Sequence, residues 1–121
     1  MSLSSEELEL IAGASEVVVE TRSGDRHFRT VIWVVVDDGD VLVRSVRGEA
    51  GRWYQRALAD PSVRLGVGIE WFPFRAVTVT NSEAIERASK ALRRKYPKGR
   101  SLDSMLRAEV LGTTLLLEPV D

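Results

Sequence analysis

The sequence predicts an α+β protein built on a partly open antiparallel β-barrel of six strands, with helices inserted between the strands. Six short segments are rich in β-branched and aromatic residues, and several of them are joined by short glycine-containing turns. Other segments have the apolar spacing of amphipathic helices. A chain of 121 residues closes one core of this kind, so we expect a single domain over residues 1–121.

The first elements are predicted to be a helix and a β-hairpin. Ser4 and Glu7 have the spacing of a capping box, and apolar residues at helical spacing follow as far as Gly13. The segment 16–22, EVVVETR, is rich in β-branched residues, and the turn 23–25, Ser-Gly-Asp, comes directly after it. We therefore expect a short helix and then a strand that returns through a tight turn.

The next segment predicts one long strand and a second hairpin. HFRTVIWVVV, residues 27–36, leads into the turn sequence DDGD, residues 37–40, and VLVRSV, residues 41–46, returns. Residues 31–36 are apolar at every position, which predicts that both faces of the strand are covered. A helix or a second subunit is needed to cover the outer face, and this is a first indication of a dimer.

The segment 52–80 predicts a helix and two more strands. Arg52 to Ala59 has helical spacing, and Pro61 ends the helix because the residue before proline disfavours helical geometry. SVRLGVGIEWFPFRAVTVT, residues 62–80, contains the two strands, and its alternation predicts four inward residues: Val63, Leu65, Val67 and Ile69.

The last third of the chain predicts two helices and a closing strand. Asn81 or Ser82 caps a helix that runs to about Lys95. Ser101 is expected to cap the second helix, which places Val110 on its inward face, and TTLLLEPV closes the chain as the sixth strand.

Composition excludes several classes of function. The chain has no cysteine and one histidine, His27, so disulfides, thiolate metal sites and a Ser-His-Asp triad are not expected. His27 is interpreted as an ordinary strand residue. The longest apolar run is far shorter than the roughly 20 residues of a membrane helix, and the N-terminal residues are acidic, unlike a secretory signal. We expect a cytoplasmic protein that does not enter a membrane.

A cluster of arginines marks the candidate binding site. The stretch VRSVRGEAGRWYQRALADP, residues 43–61, contains four of them in a chain of net charge −1: Arg44, Arg47, Arg52 and Arg56. An arginine in the first turn of a helix is unfavourable against the helix dipole unless an anion lies nearby. Free N–H groups after Gly48 and Gly51, together with arginine side chains, are suited to bind phosphate. The alternative from composition is a solvated turn.

A second basic segment suggests a different class of partner. ERASKALRRKYPKGR, residues 86–100, has more cations than acids and could meet nucleic acid phosphates. Cations near a helix C-terminus are, however, what the dipole favours, and the sequence pI is about 5.9. We interpret this segment as a solvated face and expect no nucleic acid partner.

The segment from Phe28 to Leu65 resembles the flavin-binding split-barrel superfamily, which includes pyridoxamine 5'-phosphate oxidase and the deazaflavin-dependent nitroreductases. Members have an arginine that begins a strand, a hairpin that ends at a polar residue, a basic loop, and a helix that ends at an Asn-Pro or Asp-Pro dipeptide. Residues 21–29 are similar to the turn of the deazaflavin-dependent branch, and residues 93–119 resemble the tail of a small uncharacterised subfamily. The resemblance implies a homodimeric six-stranded split barrel that binds FMN or an 8-hydroxy-5-deazaflavin coenzyme between subunits.

The resemblance also implies which residues contact the cofactor. Ser45, Arg47 and Arg52 match the positions that bind the cofactor phosphate, and Arg29 matches a strand arginine that reaches the same group. Arg44 is a further candidate, depending on which face of its strand points into the groove.

Two tryptophans match positions beside the ring system: Trp33 on the barrel strand and Trp53 at the helix start. The flavin oxidases place a lysine a few residues after their strand arginine, whereas residues 32–36 here are apolar. FMN, a deazaflavin, or loss of the cofactor all remain open, and no catalytic residue or metal ligand is assigned. An oxidoreductase is implied, because the cofactor carries hydride chemistry; the alternative is a non-catalytic dimeric split barrel that binds a small molecule.

Overall fold

The computed structural model describes residues 3–120 and shows one antiparallel sheet of seven strands with five α-helices. The strands are β1 (Val17–Ser23), β2 (Arg26–Ile32), β3 (Val35–Asp37), β4 (Asp40–Val43), β5 (Ser62–Val67), β6 (Glu70–Thr78) and β7 (Leu115–Pro119). The helices are α1 (Ser5–Gly13), α2 (Arg52–Ala59), α3 (Ser82–Lys95), α4 (Arg100–Leu106) and α5 (Ala108–Leu111). The α+β class predicted from the sequence is confirmed.

The order of strands in the sheet is β2-β1-β5-β6-β7-β4-β3, so β2 and β3 lie at opposite edges. These two edge strands are nevertheless joined by only two residues, Trp33 and Val34. Two residues span less than about 10 Å of chain. The sheet must therefore curl until its edges approach each other, which produces the barrel.

The predicted count of six strands is wrong, because the segment 27–36 is two strands rather than one. Its first part pairs with β1 and its last part pairs with β4. The break lies at Val34, whose N–H donates to the Tyr96 hydroxyl at 3.2 Å and whose carbonyl accepts from Lys95 Nζ at 2.7 Å. Side chains from the end of α3 thus replace strand partners at the point where the chain crosses between the edges.

The interior is divided into two apolar clusters. The larger cluster fills the barrel and includes Val19, Leu65, Phe74 and Leu117, which are almost fully buried. The smaller cluster lies between α3, α4 and the outer face of the β3–β4 hairpin. α3 is therefore the helix that covers the apolar segment after Trp33, as the sequence required, whereas Val31 on β2 is 59% exposed and lacks such a cover.

The ends of the helices agree with the sequence except at the start of α4. Ser4 and Glu7 form the capping box of α1, and the Asn81 side chain accepts from two N–H groups of the first turn of α3. α2 spans the predicted residues. The prediction that Ser101 caps a helix is wrong, because Gly99 precedes α4 and Ser101 lies inside its first turn.

Two further expectations are corrected by the backbone. The helix predicted as far as Val110 is interrupted at Arg107, whose extended backbone separates α4 from α5. Ile69 does not point inward: it follows Gly68, which has φ of +62°, in the turn between β5 and β6, and it is 97% exposed. Within residues 3–120, no helix is both long and apolar enough to cross a bilayer.

The β3–β4 hairpin is tied to α3 by Asp37, and this predicts an acid-dependent contribution to stability. Asp37 accepts from Arg87 Nε at 2.8 Å and from Arg94 Nη2 at 2.9 Å, and the Arg87 hydrogen bond is the main reason why the pKa of Asp37 lies below its ordinary value of 3.8. An acid whose pKa is lowered by folding stabilises the folded state at pH values above its ordinary pKa. This stabilisation is lost as the pH falls below the ordinary pKa and through the lowered one. We expect Asp37→Asn to lower the urea midpoint at neutral pH, and the difference from wild type to shrink as the pH is lowered to about 3. If the difference in urea midpoint between Asp37→Asn and wild type stayed constant with pH, the ionised Asp37 would not be its cause.

Candidate functional site

The structure contains a cleft of about 590 Å³ beside the arginine-rich loop. One wall is formed by Thr30, Val31 and Ile32 on β2, and the opposite wall is formed by residues 44–47 and the start of α2. Ser101, Ser104 and Met105 of α4 contribute a third side, and Glu16 and Trp33 line it as well. The cleft is large enough for a small-molecule ligand.

The loop 44–51 is held in one shape by interactions within the protein. Ser45 donates its hydroxyl to the Gly48 carbonyl at 2.8 Å, and its N–H donates to Thr113 Oγ1 at 3.0 Å. Gly48 has φ of +65°, and a Cβ there would lie 3.2 Å from the Glu109 carbonyl oxygen. Arg107 donates from Nη2 to the Val46 carbonyl at 2.9 Å. The loop is thus preorganised by α5 and its flanking residues, unlike a freely solvated turn.

The first turn of α2 presents uncompensated positive charge to the cleft. Its N-cap is Gly51, which offers no side-chain hydrogen bond, and the first turn contains no acidic residue. Arg52 instead occupies the first helical position. Free N–H groups and the positive end of the dipole therefore coincide with a cation, which is an arrangement that a bound anion would stabilise.

Three arginines of the loop and helix differ in how far they are engaged. Arg47 and Arg52 are exposed, and neither forms an ion pair or a side-chain hydrogen bond with any residue of 3–120. Arg56 is anchored: its Nε donates to Thr21 Oγ1 at 2.9 Å, and its guanidinium lies 4.1 Å from the centre of the Phe28 ring. Burial, with the charge of Arg52 as a smaller cause, lowers the pKa of Arg56.

Arg44 lines the cleft, but its guanidinium is engaged inside the protein. It is 3% exposed and donates to Thr114 Oγ1, Ser89 Oγ and the carbonyls of Met105 and Ile85, at 2.9 to 3.1 Å. Removal from water lowers the pKa of Arg44 to about 10. The group therefore fastens the end of β4 to α3, α4 and β7, with few donors left for a ligand.

Arg29 lies apart from the other predicted site residues. It is on the outer face of β2, where its Nε donates to Glu20 Oε2 at 3.0 Å and its guanidinium lies 4.7 Å from the centre of the Trp71 ring. It is not among the residues that line the cleft. The structure thus brings together Ser45, Arg47 and Arg52 but separates Arg29 from them.

The two predicted tryptophans occupy different environments. Trp33 lies at the crossing between the barrel edges, where it stacks on Tyr96 with ring centres 3.8 Å apart and planes 4° from parallel. It is half-buried and lines the cleft. Trp53 also borders the cleft but is 7% exposed and packs edge-on to Tyr54 in the barrel core. Trp33 is thus the better placed of the two to contact a ligand.

Several cleft residues were not assigned as cofactor contacts from the sequence, although Arg56 was named in the arginine cluster. Arg56 follows Arg52 by four positions, so helical spacing could have placed both on one face. Ser101 and Ser104 have the same kind of spacing on α4. Only the tertiary fold brings α4 to the arginine loop, because Arg107 ties the end of this helix to Val46.

Gly51 is expected to be essential for the shape of the loop. A Cβ at this position would collide with Ser45 Oγ, which holds the turn to Gly48. We expect Gly51→Ala to lower the free energy of unfolding by about 1–3 kcal/mol, the usual cost of overpacking. The measurement is urea unfolding.

A second substitution tests whether this collision is the cause. Ser45→Ala removes the hydroxyl that would clash, at a cost of about 1 kcal/mol for its hydrogen bond. The double variant should then be less destabilised than the sum of the two single variants. Strict additivity would contradict the proposed contact.

Together, the curled antiparallel sheet and the cleft beside its arginine loop define a split-barrel protein of the α+β class. The chain belongs to the family described as an uncharacterized protein conserved in bacteria (DUF2255), whose model matches residues 7–117. No curated protein matches the sequence significantly.

Three solved structures show the same fold. A proposed pyridoxamine 5'-phosphate oxidase from Listeria innocua is 13% identical with a TM-score of 0.71, covering 96% of this chain and 92% of that one. HutZ, the heme storage protein from Vibrio cholerae, is 15% identical with a TM-score of 0.73, covering 100% and 92%. The F420-H2-dependent reductase FDR-A is 18% identical with a TM-score of 0.66, covering 86% and 94%. The resemblance to split-barrel proteins is therefore confirmed at the level of the fold.

Proposed function

We propose that this protein binds a flavin-type nucleotide, FMN or an 8-hydroxy-5-deazaflavin coenzyme, in the cleft between β2 and the arginine loop. The observation that carries the proposal is the pair Arg47 and Arg52, two exposed arginines without an ionic partner in the described chain, on a preorganised loop. They flank the uncapped start of α2. Phosphate would satisfy the cations and the free N–H groups at once.

The two ends of the cleft suit the two parts of such a ligand. β2 contributes Thr30, Val31 and Ile32 to the cleft, and Phe28, which lies outside the lining, packs against the cleft residue Arg56. The side of the cleft at Arg56 is cationic, whereas the lining beside Trp33 includes Ile32 and Met105 together with the acid Glu16. We place the anionic part of the ligand at α2 and its ring system near Trp33.

The residues of the cleft are compatible with both FMN and a deazaflavin coenzyme. The cations Arg47, Arg52 and Arg56 all border the cleft, which suits one phosphate or a longer anionic tail. The similar structures include a reductase that depends on F420-H2 and a proposed pyridoxamine 5'-phosphate oxidase. Both FMN and a deazaflavin are therefore the cofactors to be tested.

We further propose that the protein is an oxidoreductase, since a bound flavin-type cofactor supplies hydride chemistry. This chain's residues would bind and orient the cofactor and exclude water at the Trp33 end of the cleft. No described side chain is assigned a proton-transfer role. The residues of the site are proposed to be Ser45, Arg47, Arg52, Trp33 and Trp53, with Arg44 as a structural support and Arg29 outside the cleft.

A homodimer is part of the proposal. Val31 is 59% exposed on β2 and also lines the cleft, and its cross-strand partner on β1 is Val18. Val31 and Val18 begin a row of residues that are paired across the strands. Val18 pairs with Gly66 on β5, and Gly66 pairs with Trp71 on β6, whose ring lies over that glycine. Val31, the exposed apolar member of this row at the cleft edge, would be buried by a second copy of the chain. A cytoplasmic location stays a prediction.

The alternative function is non-catalytic binding of a small molecule by the same split barrel. HutZ, one of the similar structures, is a heme storage protein. Haem iron usually has an axial histidine, cysteine, methionine or tyrosine ligand. His27, the one histidine, lies outside the cleft and faces Glu20, and Met105 borders the cleft but is only 4% exposed. The residues present therefore suit a flavin-type nucleotide better than haem.

Bound cofactor and turnover are tested together. Protein purified without added cofactor is dialysed against FMN or the deazaflavin coenzyme, and the retained cofactor is measured by its absorbance. The reduced cofactor is then offered an artificial electron acceptor, with and without the protein. Stoichiometric retention with faster oxidation supports an oxidoreductase. Retention without any rate increase supports the non-catalytic alternative, and no retention contradicts both cofactor assignments.

A further inference from the structure

The outer face of the sheet carries a second group of cations, far from the arginine loop in sequence. Directly paired residues on neighbouring antiparallel strands share one face of a sheet. His27 on β2 pairs with Arg22 on β1, and Ser62 on β5 pairs with Arg75 on β6. Glu20 on β1 pairs with Arg64 on β5. Arg22 lies two residues after Glu20, and Ser62 lies two residues before Arg64, so in this antiparallel pair Arg22 and Ser62 are also neighbours. We call His27, Arg22, Ser62 and Arg75 the cationic row.

A cavity of about 360 Å³ opens over this row. All four residues of the cationic row line it, together with Glu20 and Arg64. Val63, Pro73, Phe74 and Val120 complete the lining. The cavity is therefore a concave surface in which basic and hydroxyl groups converge, distinct from the cleft beside α2.

The acid in the cavity already has close hydrogen-bond partners within the protein. Glu20 is 4% exposed and accepts from Arg29 Nε at 3.0 Å, from Arg64 Nε at 2.9 Å and from His27 at 3.3 Å. Burial alone would raise the pKa of Glu20, but the hydrogen bonds from Arg29, Arg64 and His27 hold it below its ordinary value. Glu20 is thus an ionised carboxylate occupied by Arg29, Arg64 and His27, and it forms no ion pair with Arg22 or Arg75.

The other members of the row have weak partners or none. Arg22 contacts Asp60 at 3.5 Å, with both side chains well exposed. Arg75 forms no ion pair or side-chain hydrogen bond within the described residues, although Glu118 is its cross-strand neighbour on β7. The Ser62 hydroxyl also makes no hydrogen bond within residues 3–120. Two guanidinium groups and a hydroxyl are therefore available to one ligand.

We propose that the cationic row is a second binding site, specific for a small oxyanion such as a phosphate or carboxylate group. Strands lie about 4.8 Å apart, so Arg22 and Arg75, which are two strands apart, begin about 10 Å from each other on either side of Ser62. Their long side chains can meet an anion above that serine. Charge-assisted bonds from arginine are the strong kind of hydrogen bond to such groups.

The site is tested by nuclear magnetic resonance on the full-length protein labelled with ¹⁵N. Inorganic phosphate and, separately, acetate are titrated at constant ionic strength while the backbone amides are followed. Saturable shifts of residues 22, 27, 62 and 75 and their neighbours are expected, as a group separate from the amides of the arginine loop and the start of α2. Stronger binding of phosphate than of acetate would assign the site to phosphorylated ligands, and the reverse would assign it to carboxylates.

Variants separate this site from simple ionic effects and from the cleft. Arg75→Ala should weaken phosphate binding about tenfold or more, the cost of losing a charge-assisted bond. Arg93→Ala, which removes an exposed arginine on α3, should change nothing at the row. Arg52→Ala should also leave these shifts intact, so this result does not depend on the proposed cofactor site. Shifts that fail to saturate, or that persist unchanged in Arg75→Ala, would overturn the proposal.

Discussion

Replacement of Arg44 by methionine is expected to lower the free energy of unfolding by about 3 kcal/mol. The substitution keeps an apolar stem but removes the guanidinium that donates to Thr114, Ser89, Met105 and Ile85. Those acceptors are buried or partly buried, and methionine offers them no donor. Breaking a buried polar network by removing one partner is costly, since the remaining groups keep their desolvation penalty.

Arg47→Met is the matched control, because it makes the same change three residues later in the same loop. Arg47 is exposed and has no partner in the described chain, so its loss should alter the free energy of unfolding by no more than about 0.5 kcal/mol. Urea unfolding measures both variants. Equal effects on stability would contradict the assignment of Arg44 as structural and Arg47 as available for a ligand.

The double variant Arg47→Ala/Arg52→Ala is expected to weaken cofactor binding about 100-fold while leaving the fold intact. Each arginine is expected to make a charge-assisted bond to the anionic part of the ligand, and losing one such bond costs about tenfold in affinity. Neither side chain has a partner within residues 3–120, so stability should change little. Isothermal titration calorimetry with FMN and with the deazaflavin coenzyme gives the affinities.

A control with the same change in net charge distinguishes contact from long-range attraction. Lys90→Ala/Arg93→Ala removes two exposed cations from α3, away from the lining of the cleft. We expect at most a small, salt-dependent loss of affinity in this variant. A loss as large as that of the loop variant would show that overall charge, and not the loop, governs binding.

The fold was largely predictable because local patterns and tertiary packing agree over most of the chain. The capping box at Ser4, the cap at Asn81 and the helix before Pro61 all formed where the sequence indicated. The strand break at Val34 could not be predicted, since it depends on Tyr96 and Lys95, more than 60 residues away in sequence. An unbroken apolar run carries no local signal for where a chain leaves one strand partner for another.

The candidate site was predictable in its location but not in the state of each arginine. The sequence identified a basic loop at a helix start, and a cleft lies beside that loop. Arg44 and Arg47 look alike in sequence, yet the groups that engage Arg44 come from residues 85–114. Arg29 was assigned by resemblance, whereas its neighbours in the structure are Glu20 and Trp71. Whether an arginine is free is decided by tertiary contacts, which no local pattern contains.

The central claim is that the cleft binds a flavin-type nucleotide, and a titration of tryptophan fluorescence tests it most directly. Trp33 and Trp53 both border the cleft, so a ring system bound there should quench their emission. The expected result is saturable quenching by FMN or by the deazaflavin coenzyme, with a dissociation constant in the micromolar range or below. Absence of quenching by both, in protein shown by circular dichroism to be folded, would contradict the claim.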